Sequence, residues 1–261
     1  LVARTEYEYD AAGRQTAVIA PDGNRTEFTY DALGRRVKTT YPDGTTTTTT
    51  YNTLGQRVAE TDQAGRTKNF QYNAQGKLTA VILPAVETPE DASVVSANNP
   101  AEMVSLTAGD AVRPVYVYEY DNYGQLTSIR DPKGRETRFT YDALRRRLTR
   151  TLPMGQTERK TYNSDGQLET VTDFKGQITE HLYDTLGRVS STRYYVDNDA
   201  YNAQSPAETV SFTYDNHGRR TTVTDSTSGQ PEPTRVTTYA YDDAGRTLQI
   251  SSPEGTINYE Y

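Results

Sequence analysis

Apolar and polar positions alternate along most of the chain, and the alternation stops at short, regular intervals in turn residues. Residues 28–44 show the unit. Phe28 and Tyr30 stand two apart with Thr29 between them, so both rings fall on one face of an extended strand. Asp31 to Gly34 then read as a tight turn, because Asp can bond backbone two residues on and Gly supplies a positive φ. A run rich in β-formers follows and ends at a second turn, Pro42, Asp43 and Gly44. A stretch of threonines leads to Tyr51, where the pattern starts again.

Taking Tyr followed by Asp or Asn as the anchor gives ten copies, at Tyr9, Tyr30, Tyr51, Tyr72, Tyr120, Tyr141, Tyr162, Tyr183, Tyr214 and Tyr241. Their spacings are 21, 21, 21, 48, 21, 21, 21, 31 and 27, and Tyr261 stands where an eleventh copy would begin. Such self-similarity decides the architecture before any single segment does. Four residues after the Tyr comes Gly13, Gly34, Gly55, Gly76, Gly124, Gly166, Gly187, Gly218 or Gly245. The remaining copy has Arg145, whose Cβ predicts strain or a different turn. The second turn recurs as Pro-x-Gly at Pro21, Pro42, Pro132, Pro153 and Pro253, with weaker versions ending at Gly65 and Gly176.

Between turns lie segments of about six to eight residues rich in Thr, Val, Tyr and Phe, which favour strands. The ring two before the anchor recurs at Tyr7, Phe28, Phe70, Tyr118, Phe139, Phe212, Tyr239 and Tyr259, whereas Thr49, Lys160 and His181 break the rule. The strand after the Gly is less regular. Its apolar residue sits two after the Gly at Leu78, Leu126, Leu168 and Val189, but three after the turn's fourth residue at Val37, Val58, Leu148 and Leu248, so its buried face stays open. Each repeat is thus two antiparallel strands and two turns. Ten repeats predict an all-β meander of about twenty strands, a single array over residues 1–261.

Three insertions interrupt it, at about residues 84–114, 194–209 and 226–234. In the first, Thr88-Pro89-Glu90-Asp91 and Asn99-Pro100-Ala101-Glu102 resemble helix starts and predict one or two short helices. In the second, Asp197 to Asp199 form an acidic cluster without the spacing or Gly of a Ca²⁺ loop, so a solvated loop is expected. The third reads as a lengthened turn.

Hydrophobic residues make up only 34% of the chain, and there are 21 Tyr but no Trp. With a mean hydropathy of −0.82, that composition suits one curved sheet with an apolar stripe better than a two-layer core. The net charge of −7 argues against nucleic acid as the partner. The basic residues after the turn Gly (Arg14, Arg35, Lys77, Arg188, Arg219, Arg246) form a row, read as stabilising turns or linking repeats rather than holding a ligand. Cysteine is absent, so nothing depends on disulfides, and no apolar run is long enough to span a membrane. No signal peptide is recognised, and the chain, which begins without Met and stops inside a repeat, reads as a piece of a longer protein. His181 and His217 are the two histidines, one in a strand and one in a turn, and no metal, phosphate or nucleophile motif accompanies them. No catalytic, cofactor or metal residue is expected.

The pattern Tyr-Asp-x-x-Gly-Arg, then Pro-Asp-Gly, every 21 residues resembles the Rhs/YD-repeat family, which includes bacterial Rhs toxins, shell components of Tc insecticidal toxins and animal teneurins. The resemblance spans the whole chain apart from the insertions and Arg145. It implies a β-sheet strip that spirals into a hollow shell and, in bacterial relatives, encloses a C-terminal toxin domain delivered by a secreted or cell-surface route. Those relatives carry an Asp-bearing self-cleaving core after the repeats; the residues up to Tyr261 show no such core, so no protease residue is transferred. The implied partners are further shell repeats, the enclosed toxin and a delivery apparatus or cell-surface partner. The alternative is an adhesion module binding glycans or proteins. With strands ~4.8 Å apart, twenty of them span ~95 Å, whereas enclosing a 100-residue cargo of radius of gyration ~13 Å needs roughly thirty. On that count the chain is a wall segment with two open edges, which favour edge-to-edge association.

Overall fold

The computed structural model describes residues 4–87, 93–95, 103–105, 111–230 and 235–261. Among the described residues the chain is all-β apart from one short helix, and twenty-one strands belong to the antiparallel meander. It divides into two units, Leu1–Thr137 and Arg138–Tyr261. In the first, β1 (Glu6–Tyr9), β2 (Gln15–Ile19), β3 (Arg25–Tyr30), β4 (Arg36–Thr40), β5 (Thr46–Tyr51), β6 (Arg57–Thr61), β7 (Thr67–Tyr72) and β8 (Leu78–Ile82) pair each with the next.

The first insertion follows. Its described parts are β9 (Val86–Glu87), β10 (Ser93–Val95), β11 (Met103–Ser105) and β12 (Ala111–Val112), paired as β10 with β11 and β9 with β12. The expected helix starts at residues 88–91 and 99–102 lie outside the described residues. The meander resumes at β13 (Val115–Tyr120), which pairs back onto β8, and β14 (Leu126–Arg130). Ala80, Ile82 and Val115 are buried where β8 and β13 meet and form an apolar cluster with Val117, so the sheet closes tightly across the point where the insertion leaves.

The boundary falls within β15 (Glu136–Tyr141), and the second unit holds the rest of it with β16 (Arg147–Thr151), β17 (Thr157–Tyr162), β18 (Leu168–Thr172), β19 (Ile178–Tyr183) and β20 (Val189–Tyr195). After α1 (Asn198–Asn202) come β21 (Glu208–Tyr214), β22 (Arg220–Thr227), β23 (Arg235–Tyr241), β24 (Thr247–Ser252) and β25 (Gly255–Asn258). Its pairings, too, are antiparallel steps between neighbours in sequence.

The acidic cluster of the second insertion is not a solvated loop but the start of α1. Asp197 is its N-cap, in extended conformation, and its carboxylate accepts the Ala200 N–H at 2.8 Å. The short helix is held by Tyr201, whose ring meets Tyr195 edge-on at 5.2 Å. Tyr195 is 2% exposed and donates its hydroxyl to Glu180 at 2.7 Å, and Arg193 reaches the same carboxylate oxygen at 3.4 Å. The buried carboxylate thus has both a neutral and a charged partner. In the third insertion, residues 231–234 lie outside the described residues.

Register settles the irregular strand after the turn Gly. Tyr30 pairs with Arg36 and Thr29 with Lys38, so Val37 is an extra residue in β4. The same shift occurs at Tyr9, Tyr51, Tyr72, Tyr120, Tyr141, Tyr162, Tyr183, Tyr214 and Tyr241. A bulge sets two residues against one. Both the second and the third residue after the turn therefore lie opposite the anchor Tyr, and the apolar side chain can occupy either.

Arg145 makes the same turn as the glycines. Its φ is 65°, its N–H donates to Asp142 O at 3.0 Å, and Asp142 N donates to Arg146 O at 3.0 Å. The fold imposes a left-handed conformation on a residue with a Cβ, and the strain is local. Arg145→Gly is expected to raise stability by about 1 kcal/mol, read as a higher urea midpoint at unchanged slope.

Candidate functional site

The repeat turn is built the same way each time. In the copy at Tyr30, Asp31 N donates to Arg35 O at 2.9 Å and Gly34 N to Asp31 O at 3.0 Å. The Asp31 carboxylate accepts from the backbone N–H of Leu33 (2.9 Å) and Arg35 (3.0 Å) on one oxygen, and from Arg35 Nε (2.7 Å) on the other. The Pro-Asp-Gly turns share this backbone: Ala20 N donates to Asn24 O at 2.8 Å and Gly23 N to Ala20 O at 2.9 Å. The turns ending at Gly65 and Gly176 do the same, so their lack of Pro changes nothing.

The anchor Tyr joins one repeat to the last. Tyr30 Oη donates to Gln15 O at 2.6 Å, a carbonyl beside the bulge of the preceding repeat. Tyr72, Tyr120, Tyr162, Tyr183, Tyr214 and Tyr241 donate in the same way to Arg57, Leu78, Arg147, Leu168, Val189 and Arg220, between 2.7 and 3.0 Å. Over each of several rings lies a guanidinium of the preceding turn: Arg14 over Tyr30 at 5.0 Å, Arg35 over Tyr51 at 4.2 Å, Arg146 over Tyr162 at 4.3 Å, Arg188 over Tyr214 at 4.5 Å, Arg219 over Tyr241 at 4.7 Å and Arg246 over Tyr261 at 4.6 Å. The basic row is therefore structural. One cation closes its own turn and caps the ring of the next, a role that falls also to Arg146.

In two of the three copies with Asn for Asp the cation gives way to an amide, whereas Asn73 keeps Lys77. Asn52 Nδ2 donates to Gln56 Oε1 at 2.7 Å and Asn163 Nδ2 to Gln167 Oε1 at 3.0 Å, while Gln167 Nε2 reaches Gly187 O at 2.9 Å. The φ of +80° at Gly55 is what calls for Gly, and the preceding side chain lies close over it. A Cβ there would stand 3.4 Å from Arg35 Nη1, and one at Gly187 3.1 Å from Gln167 Nε2.

Several of the turn carboxylates titrate low. At Asp31 and Asp62 the hydrogen bond from the Arg side chain holds the carboxyl below its ordinary value; at Asp10, Asp184 and Asp242 the backbone N–H of the Arg is the main cause. Burial pushes the His181 imidazole down, and its Nδ1 sits 3.2 Å from Thr192 Oγ1. His217 lies in a turn, where its N–H donates to Asp215. Among the described residues no group of His, Cys, Asp or Glu could hold a metal ion, and no helix is long and apolar enough to cross a membrane. The predicted Tyr and Gly positions thus form a ladder of closely similar joints, with the Tyr hydroxyl bonded to the preceding repeat in most copies.

The RHS Repeat family matches residues 3–25, 9–46, 51–85 and 120–157. These segments of the chain are RHS repeats. A crystal structure of TcdB2-TccC3 without its hypervariable C-terminal region is similar to this RHS-repeat chain, with a TM-score of 0.50 and 16% identity over 94% of this chain and 14% of that one. A crystal structure of TcdB2-TccC3-Cdc42 aligns at TM-score 0.44 and 16% identity over 95% of this chain and 15% of that one. The Photorhabdus luminescens Tc holotoxin pore with a TccC3 D651A mutation aligns at 0.39 and 17% identity over 98% and 18%. At these identities the likeness is one of fold, and the chain spans less than a fifth of each neighbour. No curated protein sequence matches.

Two outcomes follow from the joint. Tyr162→Phe keeps the ring beneath Arg146 but leaves the Arg147 carbonyl without its donor, and should cost about 1 kcal/mol in urea unfolding. Because the folded-state pKa of the turn Asp is below the unfolded value, its contribution is complete above the unfolded pKa near ~3.9 and is lost as pH falls through the folded value. Stability should hold from neutral pH to about 5 and drop below about 4. The double variant Asp31→Asn, Arg35→Gln, which copies Asn52 and Gln56, should flatten that drop.

Proposed function

We propose that the chain is a non-catalytic stretch of wall in an Rhs-type shell that encloses a C-terminal toxin or effector and is delivered in secreted or cell-surface form. The observation that carries this reading is the persistence of the joint across interruptions. Tyr120 bonds Leu78 across the 42 residues that hold the first insertion, and Tyr214 bonds Val189 across the 25 that hold the second. Each insertion leaves the sheet without breaking its step, as a continuous wall requires. The likeness to TcdB2-TccC3 supports the same fold, and through it the shell. The neighbour's hypervariable C-terminal region is the counterpart of the cargo proposed for the protein in which this chain occurs.

The whole stretch 1–261 acts as one array, with the insertions at about 84–114, 194–209 and 226–234 standing off it. The Tyr and Gly positions serve the wall and take no part in chemistry. Partners are other repeats of the shell, its cargo, and a delivery or cell-surface component.

Electron microscopy separates the parts of this reading. The 261-residue chain alone is expected to give open strips or plates. The protein that contains it in the cell is expected to give hollow particles whose C-terminal segment resists protease until the particle is opened. Closed, cargo-filled particles from the chain alone would refute the wall-segment reading, and a C-terminal segment cut as fast as a free peptide would refute enclosure.

A further inference from the structure

One repeat departs from the others on both strands at once. On the face that carries the rings, Phe28 pairs with Thr39 and Phe70 with Val81, in the repeats on either side. In the repeat between them the pair is Thr49 and Glu60. The ring is missing and so is its compact partner. A cavity of about 320 Å³ lies there, at the lower end of small-ligand sites, which run from about 300 to 1,000 Å³.

Its walls are ordered by strand. Thr47 and Thr49 come from β5, Glu60 and Asp62 from β6 and its turn, and Arg66 and Lys68 from the same turn and β7, with Pro84 at the margin. Asp62 and Arg66 are engaged with each other in their turn. Glu60 holds Arg57. The side chains of Thr47, Thr49 and Lys68 have no hydrogen-bond or ion-pair partner among the described residues. Lys68 pairs in register with Glu60, and it borders one space with Thr47 and Thr49.

The free groups state what would fit. Two hydroxyls and a carboxylate with spare acceptor capacity suit a ligand rich in hydroxyl groups. With Asp62 paired to Arg66 and Glu60 to Arg57, Lys68 is the one charged group of the lining without a partner among the described residues, which favours a negative charge on the ligand beside it. We infer that this cavity binds a saccharide carrying a carboxylate, with Lys68 on the carboxylate and Thr47, Thr49 and Glu60 on the ring hydroxyls. The inference does not rest on the shell: a wall segment and a free-standing adhesin could both present it.

The test uses the 261-residue chain. Calorimetric or NMR titration compares glucuronic acid, glucose and acetate. Glucuronic acid should bind saturably, and the other two at least about tenfold more weakly, the loss expected when a charge-assisted contact or the hydroxyl contacts are removed. Lys68→Met should bring glucuronic acid down to the level of glucose. Thr49→Phe restores the ring of the neighbouring repeats and should abolish binding while the urea midpoint stays level or rises, which a structural role for Thr49 would not produce. Absence of saturable binding, acetate binding as tightly as glucuronic acid, or binding that survives both variants would each overturn the inference.

Discussion

A β-bulge frees backbone groups, and this chain places one beside every Tyr-Asp turn. The bond from the anchor Tyr hydroxyl to the carbonyl beside the bulge of the preceding repeat is the interaction on which the rest depends. An unpaired carbonyl in a sheet costs as much as a lost hydrogen bond. Tyr162, for example, meets Arg147 O at 3.0 Å, and its ring spans the step between the two repeats while doing so. A shorter side chain could not reach, and Phe could reach but not donate. That is why Tyr stands at every one of the ten anchor positions.

The second constraint is the cation after the turn. It bonds the Asp of its own turn, covers the next Tyr and lies above the next Gly. Arg146 does this with its Nη1 3.3 Å from where a Gly166 Cβ would be. Each repeat therefore supplies the lid for its successor, as in other arrays where stability is a sum of nearest-neighbour terms. It also explains how a sheet with few fully buried side chains stays ordered. Its apolar clusters are small and local, as at Ala80, Ile82 and Val115, whereas the ladder of joints runs along it.

Much of this was legible in the order of residues. The period of 21, the Tyr-x-x-x-Gly spacing and the alternation of Phe28 and Tyr30 each have one physical reading, because a turn needs positive φ and a strand has period two. The basic row could be read as structural for the same reason, that it recurs with the turn. Less was legible where two signals compete. The Asp197 to Asp199 cluster reads as a loop from composition, yet Asp197 caps α1 because Tyr201 finds Tyr195 to pack against, a contact no local pattern announces. The exchange of Asp and Arg for Asn and Gln, at Asn52 and Gln56, was visible as letters but not as a bond.

By itself the sequence determined the all-β class, the strand count and the absence of a recognisable catalytic motif, since these follow from period and composition. Only the tertiary structure decided register, and register decided the rest. The extra residue at Val37 is invisible in a pattern that tolerates Leu or Val at either of two places. It becomes evident only when the facing strand is set against it. The cavity at Thr49 has the same origin. One missing ring is an irregularity in a list of residues, but paired with Glu60 and set beside Lys68 it is an open recess bordered by polar residues, because neighbours in a sheet are made by hydrogen bonds between strands and not by distance along the chain.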